Sequence, residues 1–365
     1  MMTKKQIIVY GIFPPPFHGQ SIGTQMVYSY LLEKQKVIKV NLSPGSLNSG
    51  KYGYLFAYII AYINSLIKMR AVKGKKNTLY FVPAVRPMSH LKDIILLLLF
   101  HRKFDRVICH IRSGEFDNLF RNKLSIITAR YLIKRVTCFV FLSEGLAEKC
   151  KNYIPEEKRK VIYNFIDQAI TISNDDARRL IMKKEKQNCF NYAFISNFIE
   201  EKGYKTLLKA FDRISTLNND VKLYLIGDGS KEAVKELENI NRINKQVIFY
   251  GKISDRNELK DVLEKIHVFV LPTFYKTEAQ PRSIIEALNF GIPVISTFHA
   301  SIPEIITHNF NGKLVPIKDE ITLSKAMEEV LDKVEWKKTA LNARKSYDEN
   351  HDFEKLAKEL MNLMI

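Results

Sequence analysis

Short, nearly continuous runs of Val, Ile, Leu and Phe alternate with longer stretches of mixed polarity along the whole chain. In the first half the runs fall at 7–13, 37–41, 78–82, 106–111, 137–142 and 161–163. In the second they fall at 192–196, 222–226, 247–250, 268–271, 293–296 and 313–315. Apolar runs without polar alternation are strands buried on both faces, as in parallel sheets covered by helices. Two sets of this kind predict an α/β chain with two doubly wound domains. The polar stretch 168–187, with Asn174-Asp175-Asp176 and lysines at 183, 184 and 186, reads as the junction between a first domain at 1–167 and a second at 188–348. A last helix within 349–365 follows a polar break and is expected to return to the first domain.

One segment is denser in information than the rest. From Glu278 to Ile295 it reads Glu-Ala-Gln-Pro-Arg-Ser-Ile-Ile-Glu-Ala-Leu-Asn-Phe-Gly-Ile-Pro-Val-Ile, which places a short helix between two strands. Pro281 suits the start of that helix, where a missing N–H costs nothing. Gly291 suits the position just past its end, where a left-handed backbone is cheap without a Cβ. Glu278 then sits on the entry loop and Glu286 about a turn and a half inside the helix. Both can face a crevice at the carboxyl end of a parallel sheet, where open α/β folds bind ligands. Two carboxylates so placed suit the hydroxyls of a ribose and a sugar.

Charge changes the picture of the first half. Residues 1–170 hold 27 Lys+Arg against 10 Asp+Glu, a balance of +17, while the remainder holds 30 against 29. The basic half is therefore expected to meet an anionic partner: a membrane surface, nucleic acid or a diphosphate-bearing substrate. Two apolar stretches lie in it, 54–67 followed by Lys68, Arg70, Lys73, Lys75 and Lys76, and 94–100 followed by His101, Arg102 and Lys103. Both are shorter than the roughly 20 residues a membrane span needs. Each is either a helix packed in an α/β core with a solvated basic end, or a helix lying on an anionic membrane. The four cysteines, Cys109, Cys138, Cys150 and Cys189, have no CxxC spacing and read as buried thiols in a reducing compartment. The N-terminus shows no cleavage site, so a cytoplasmic chain is expected.

Several motifs follow one another in a telling order: Phe194-Ile195-Ser196-Asn197-Phe198-Ile199-Glu200-Glu201-Lys202-Gly203, Leu225-Ile226-Gly227-Asp228-Gly229, Val247-Ile248-Phe249-Tyr250-Gly251, the Glu278 to Glu286 segment, Ile302-Pro303-Glu304, and Asn311-Gly312-Lys313. Together they resemble the retaining glycosyltransferases of the GT-B fold, the large GT4-like group 1 transferases. The resemblance is weak before residue 135 and strong after 190. It implies two Rossmann-like domains facing across a cleft, with the acceptor on the first domain and a nucleotide sugar on the second. By the resemblance Glu286 would hold the donor ribose, Glu278 would contact the transferred sugar, and Lys202 would neutralise the diphosphate. Gln280, Ser283 and Asn197 join the donor set, as does Gly19 on the glycine-bearing loop Phe13-Pro14-Pro15-Pro16-Phe17-His18-Gly19. His110, at the end of the strand 106–111, would face the donor sugar or its neighbourhood, Arg112 could serve the acceptor phosphate, and His18 on the glycine-bearing loop is a further candidate.

The chain departs from the family where Ser196-Asn197 replaces a usual Gly-Arg pair, which removes one cation from the diphosphate. Arg282 and Lys276 are the substitutes nearest in sequence. No Asp-x-Asp pair ends a strand, and neither GxGxxG nor a Walker loop is present. The expectation is therefore a metal-independent hexosyltransferase without cofactor, using a UDP- or GDP-linked sugar as co-substrate. Its acceptor is expected to be a saccharide on a polyprenyl diphosphate, in bacterial surface polysaccharide synthesis. The enzyme would sit at the inner face of the plasma membrane and bind no nucleic acid. A nucleotide-sugar 2-epimerase of the same fold and an inactive partner subunit are the alternatives.

Overall fold

The computed structural model describes residues 6–15, 19–45, 51–74, 76–121, 123 and 125–365. Pro16, Phe17 and His18 lie outside that set, and with them the role read for His18. The chain divides into two units, Met1–Tyr163 with Glu354–Ile365, and Asn164–Phe353.

The first unit runs β1 (Ile7–Gly11), α1 (Gly19–Lys34), β2 (Val37–Asn41), α2 (Lys51–Ala71), β3 (Asn77–Phe81), α3 (Pro87–Phe100), β4 (Phe104–Ile111), α4 (Asn118–Arg121), α5 (Ile126–Arg135), β5 (Cys138–Phe141), α6 (Glu144–Glu148) and β6 (Arg159–Val161). Its sheet is ordered β2-β1-β3-β4-β5-β6, and every pair is parallel. The apolar runs form the inner strands: Ile8, Val9, Leu79, Phe81, Ile108, Phe139 and Val140 are fully buried. The edge strand differs from expectation. It lies at Arg159–Val161, ahead of the apolar run at 161–163, with Phe139 opposite Arg159. An edge strand pairs on one side only, so charged residues are tolerated there and the apolar signal is absent.

The second unit runs α7 (Asn174–Glu185), β7 (Phe190–Ile195), α8 (Tyr204–Leu217), β8 (Val221–Ile226), α9 (Lys231–Ile243), β9 (Val247–Gly251), α10 (Arg256–Leu263), β10 (Val268–Leu271), α11 (Arg282–Asn289), β11 (Val294–Thr297), α12 (Ile302–Ile305), β12 (Gly312–Val315), α13 (Glu320–Glu329) and α14 (Lys333–Asn350). The sheet order is β12-β11-β10-β7-β8-β9, again all parallel. Strand order reverses between β7 and β10, which opens a crevice beyond their carboxyl ends. The last helix, α15 (Phe353–Met364), joins the first unit. Thr78 Oγ1 on β3 donates to the Met364 carbonyl at 2.7 Å, and Arg106 of β4 donates to that of Leu363 at 3.3 Å.

Residues 168–187, read above as a junction, fold within the second unit. Ser173 caps α7 by accepting from Asp176 N, and Ala177 and Ile181 enter the core. Lys184 follows them inward. It is 1% exposed, its Nζ donates to the Leu263 carbonyl at 3.3 Å, and burial pulls its pKa down to about 7. Because the folded pKa lies below that of a free lysine, the unfolded chain binds the extra proton. Stability therefore rises with pH from about 7 toward 10. Lys184→Met is expected to stabilise the protein at pH 7 by about 1–3 kcal/mol, with the gain shrinking by pH 10. Urea unfolding at both pH values measures it, and equal effects at the two would remove the charge explanation.

Cys109, Cys138 and Cys150 are buried free thiols and Cys189 is half-buried. Burial pushes Cys138 up to about 11 and Cys150 to about 12.

Candidate functional site

The reversal of strand order in the second unit brings two loops together, one after β7 and one after β10. The first turns through a single 3-10 turn at Glu200–Lys202 and enters α8 at Gly203, whose φ is +82°. A Cβ at Gly203 would lie 2.1 Å from the Pro272 carbonyl oxygen, so the two loops meet backbone to backbone. Phe274 N and Thr273 Oγ1 both donate to the Glu201 carbonyl, at 2.7 and 3.1 Å. From the other side, His299 Nε2 lies 2.8 Å from the Tyr275 carbonyl and Thr297 Oγ1 donates to that of Thr273. The β10 loop is thus pinned from two directions before it reaches Glu278.

Lys202 and Glu278 meet as an ion pair, Nζ to Oε2 at 2.5 Å. The ammonium also lies over the Tyr275 ring, 4.9 Å from its centroid. Glu278 is 9% exposed and its backbone N–H is held by the Tyr275 carbonyl. An ammonium has three N–H groups, so Lys202 can keep Glu278 and still serve an incoming anion.

α11 begins directly after Pro281 and ends as the sequence predicts. Gly291 has φ +61°, and the N–H groups of Gly291 and Ile292 return to the carbonyls of Leu288 and Ala287. Glu286 is the fifth residue of the helix and 7% exposed. Loss of water raises its pKa, opposed by the positive charges of Arg256 and Arg282 and reinforced by Asp167. Arg256, at the start of α10, bridges Glu286 at 3.5 Å and Asp167 at 3.6 Å. Nothing in the local sequence marks Arg256 as a partner of a carboxylate thirty residues on.

Gln280 and Ser283 flank the start of the same helix. Gln280 is buried, its side-chain oxygen accepts from Asn164 N, and its carbonyl accepts from Asn164 Nδ2 at 3.1 Å. With the oxygen so used, the Gln280 Nε2 donor has no partner among the described residues. Ser283 is half-buried in the first turn of α11, and Asn197 is exposed on the loop after β7. Arg282 turns its Nε toward Asn164 Oδ1 at 3.5 Å, while Lys276 is exposed.

The remaining candidates belong to the first unit. His110 ends β4 almost fully buried, with Nδ1 2.9 Å from the Tyr80 hydroxyl, and Arg112 reaches the same hydroxyl at 3.3 Å. Gly19 opens α1 with free space around its Cα. Among the described residues, no group of three or more His, Cys, Asp or Glu could hold a metal ion.

With this geometry, similarity to known proteins becomes informative. Residues 176–350 match the family model described as glycosyl transferases group 1. An uncharacterized glycosyltransferase of Methanocaldococcus jannaschii is 26% identical over 290 residues, 76% of this chain and 72% of that one. A Campylobacter jejuni protein, the alpha-1,4-N-acetyl-D-galactosaminyltransferase acting on GalNAc-alpha-(1->4)-GalNAc-alpha-(1->3)-diNAcBac-PP-undecaprenol, is 28% identical over 183 residues, 49% of this chain and 48% of that one. The chain spans about half the length of several other curated relatives. Among solved structures, Anabaena HepE in complex with UDP superposes with a TM-score of 0.71 at 16% identity, over 98% of both chains. Such a likeness speaks for the shared GT-B fold.

Proposed function

The second unit is a glycosyl transferases group 1 domain on a GT-B fold, and from that premise we propose that the chain is a retaining hexosyltransferase. It moves a sugar from a UDP- or GDP-linked donor to a saccharide acceptor on a polyprenyl diphosphate, during surface polysaccharide synthesis, in contact with an anionic membrane. The observation that carries this reading is the Lys202–Glu278 pair beside buried Glu286 at the point where strand order reverses. The UDP in the HepE complex and the undecaprenol-linked acceptor in the name of the Campylobacter relative support the two substrate classes.

In this reading the Glu286 carboxylate accepts hydrogen bonds from the ribose hydroxyls. Glu278 and the Gln280 Nε2 donor hold hydroxyls of the transferred sugar. Ser283 and the Asn197 loop contact the diphosphate, and Gly19 and His110 are assigned to the donor set by the family resemblance. The bond from the anomeric carbon to the phosphate oxygen breaks, and Lys202 takes up the charge that grows on the departing diphosphate. The acceptor hydroxyl attacks the same face of the sugar, and its proton passes to the departing phosphate oxygen. No metal is required for these roles.

Thermal unfolding with UDP, GDP, ADP and CMP in EDTA tests the proposal. A nucleotide at 100 times its Kd stabilises by about 2.7 kcal/mol. One nucleotide is expected to raise the Tm of the wild type and not of Glu286→Ala. If none does so for the wild type, the donor site is refuted and an inactive relative takes its place.

A further inference from the structure

The first unit carries a surface that none of these roles uses. Eight large apolar side chains of α2 are exposed, from Tyr52 at 88% through Phe56 at 66% to Ile67. Tyr52, Phe56, Ile59, Ile63 and Ile67 recur every three or four residues, so they form one stripe along the helix. At about 1.5 Å per residue the stripe runs roughly 22 Å. The opposite side of the helix is seated: Ser65 and Met69 are buried, and Tyr62 donates to the Lys92 carbonyl of α3 at 3.0 Å. Leu98 and Leu99 at the end of α3 are exposed as well. Folded chains rarely leave an apolar patch of this extent facing water unless something covers it.

Charge identifies what covers it. From 51 to 76 the sequence has six Lys or Arg and no Asp or Glu. Arg102 and Lys103 follow α3, and Lys103 Nζ caps the end of α2 through the carbonyls of Met69, Arg70 and Val72 at 2.7–3.1 Å. A second copy of this chain would bring the same cations against these, whereas an anionic bilayer complements them. Tyrosines along the helix suit the headgroup level, where a ring can sit apolar on one side and wet on the other. None of the described helices is long and apolar enough to cross a membrane. We propose that α2, with the end of α3, lies in the plane of an anionic membrane and inserts its apolar stripe among the lipids. The proposal rests on the lipid-linked-acceptor reading for its purpose, and on the helix alone for its binding.

The test is sedimentation of the full chain with vesicles of phosphatidylcholine containing about 30% phosphatidylglycerol, and with phosphatidylcholine alone. The wild type is expected to sediment with the anionic vesicles and to be partly released by high salt. Phe56→Gln with Ile63→Gln and Ile67→Gln should weaken partitioning at least about tenfold. These residues are exposed and none is among those assigned to the donor, so the nucleotide-induced shift in Tm should be unchanged. Wild type left in the supernatant, or a triple variant that binds like the wild type, overturns the proposal. So does a vesicle-blind wild type that self-associates while the triple variant is monomeric. Vesicle binding without any nucleotide shift keeps the membrane surface and removes the transferase reading.

Discussion

Lys202→Ala is expected to lower kcat by about a thousandfold while KM for the nucleotide sugar changes far less. In the proposed mechanism the charge it meets grows mainly as the diphosphate departs, so its loss would fall on the transition state more than on the bound donor. By the resemblance, Asn197 stands where an arginine is usual, which in the proposed mechanism leaves Lys202 to do more of this work. Removing it also strands Glu278, whose side chain is largely buried against it, at a cost of about 1–3 kcal/mol in stability. The double variant Lys202→Ala with Glu278→Gln separates the effects. It should regain most of the stability and none of the activity. A single variant with kcat within tenfold of wild type would mean another cation carries the leaving group.

Gly203→Ala should damage both loops at once. The position has φ +82°, and the added methyl would sit 2.1 Å from the Pro272 carbonyl oxygen. Backbone strain alone costs about 1 kcal/mol. The clash is with main chain and not with a flexible side chain, so the Pro272 segment must retreat. The expected loss is about 2–4 kcal/mol in stability and at least a hundredfold in activity, because Glu278 lies six residues beyond the displaced carbonyl. Urea unfolding and initial rates measure the two, and wild-type values in both would show that the loops do not meet as described.

The expected strands 37–41, at a sheet edge, and 268–271, inside the other sheet, have the observed bounds, and the other runs shift by one or two residues. Burial on both faces makes such strands apolar at every position, and that signal is strong. It weakens where a segment is partly exposed and carries charge. β6 carries Arg159 and Lys160, and α7 looked like a polar junction because few of its positions reach the core. In the site, the two carboxylates were legible because helix start, helix end and spacing are local features, while Lys202 came only from the ordered motifs that carry the resemblance. The Arg256 bridge to Asp167 and Glu286 was not, nor was the grip of Gln280 on Asn164, which lie 116 residues apart. Those contacts exist only once the sheet has formed.

The last helix carries a consequence for how the chain is made. The second unit is continuous, so every strand of its sheet is made before positions 363 and 364. The first unit is divided: Thr78 and Arg106 wait for carbonyls at positions 364 and 363. Although begun first, it closes only after the second is made, and a chain stopped short of position 363 would keep the later-made unit while leaving the earlier one open.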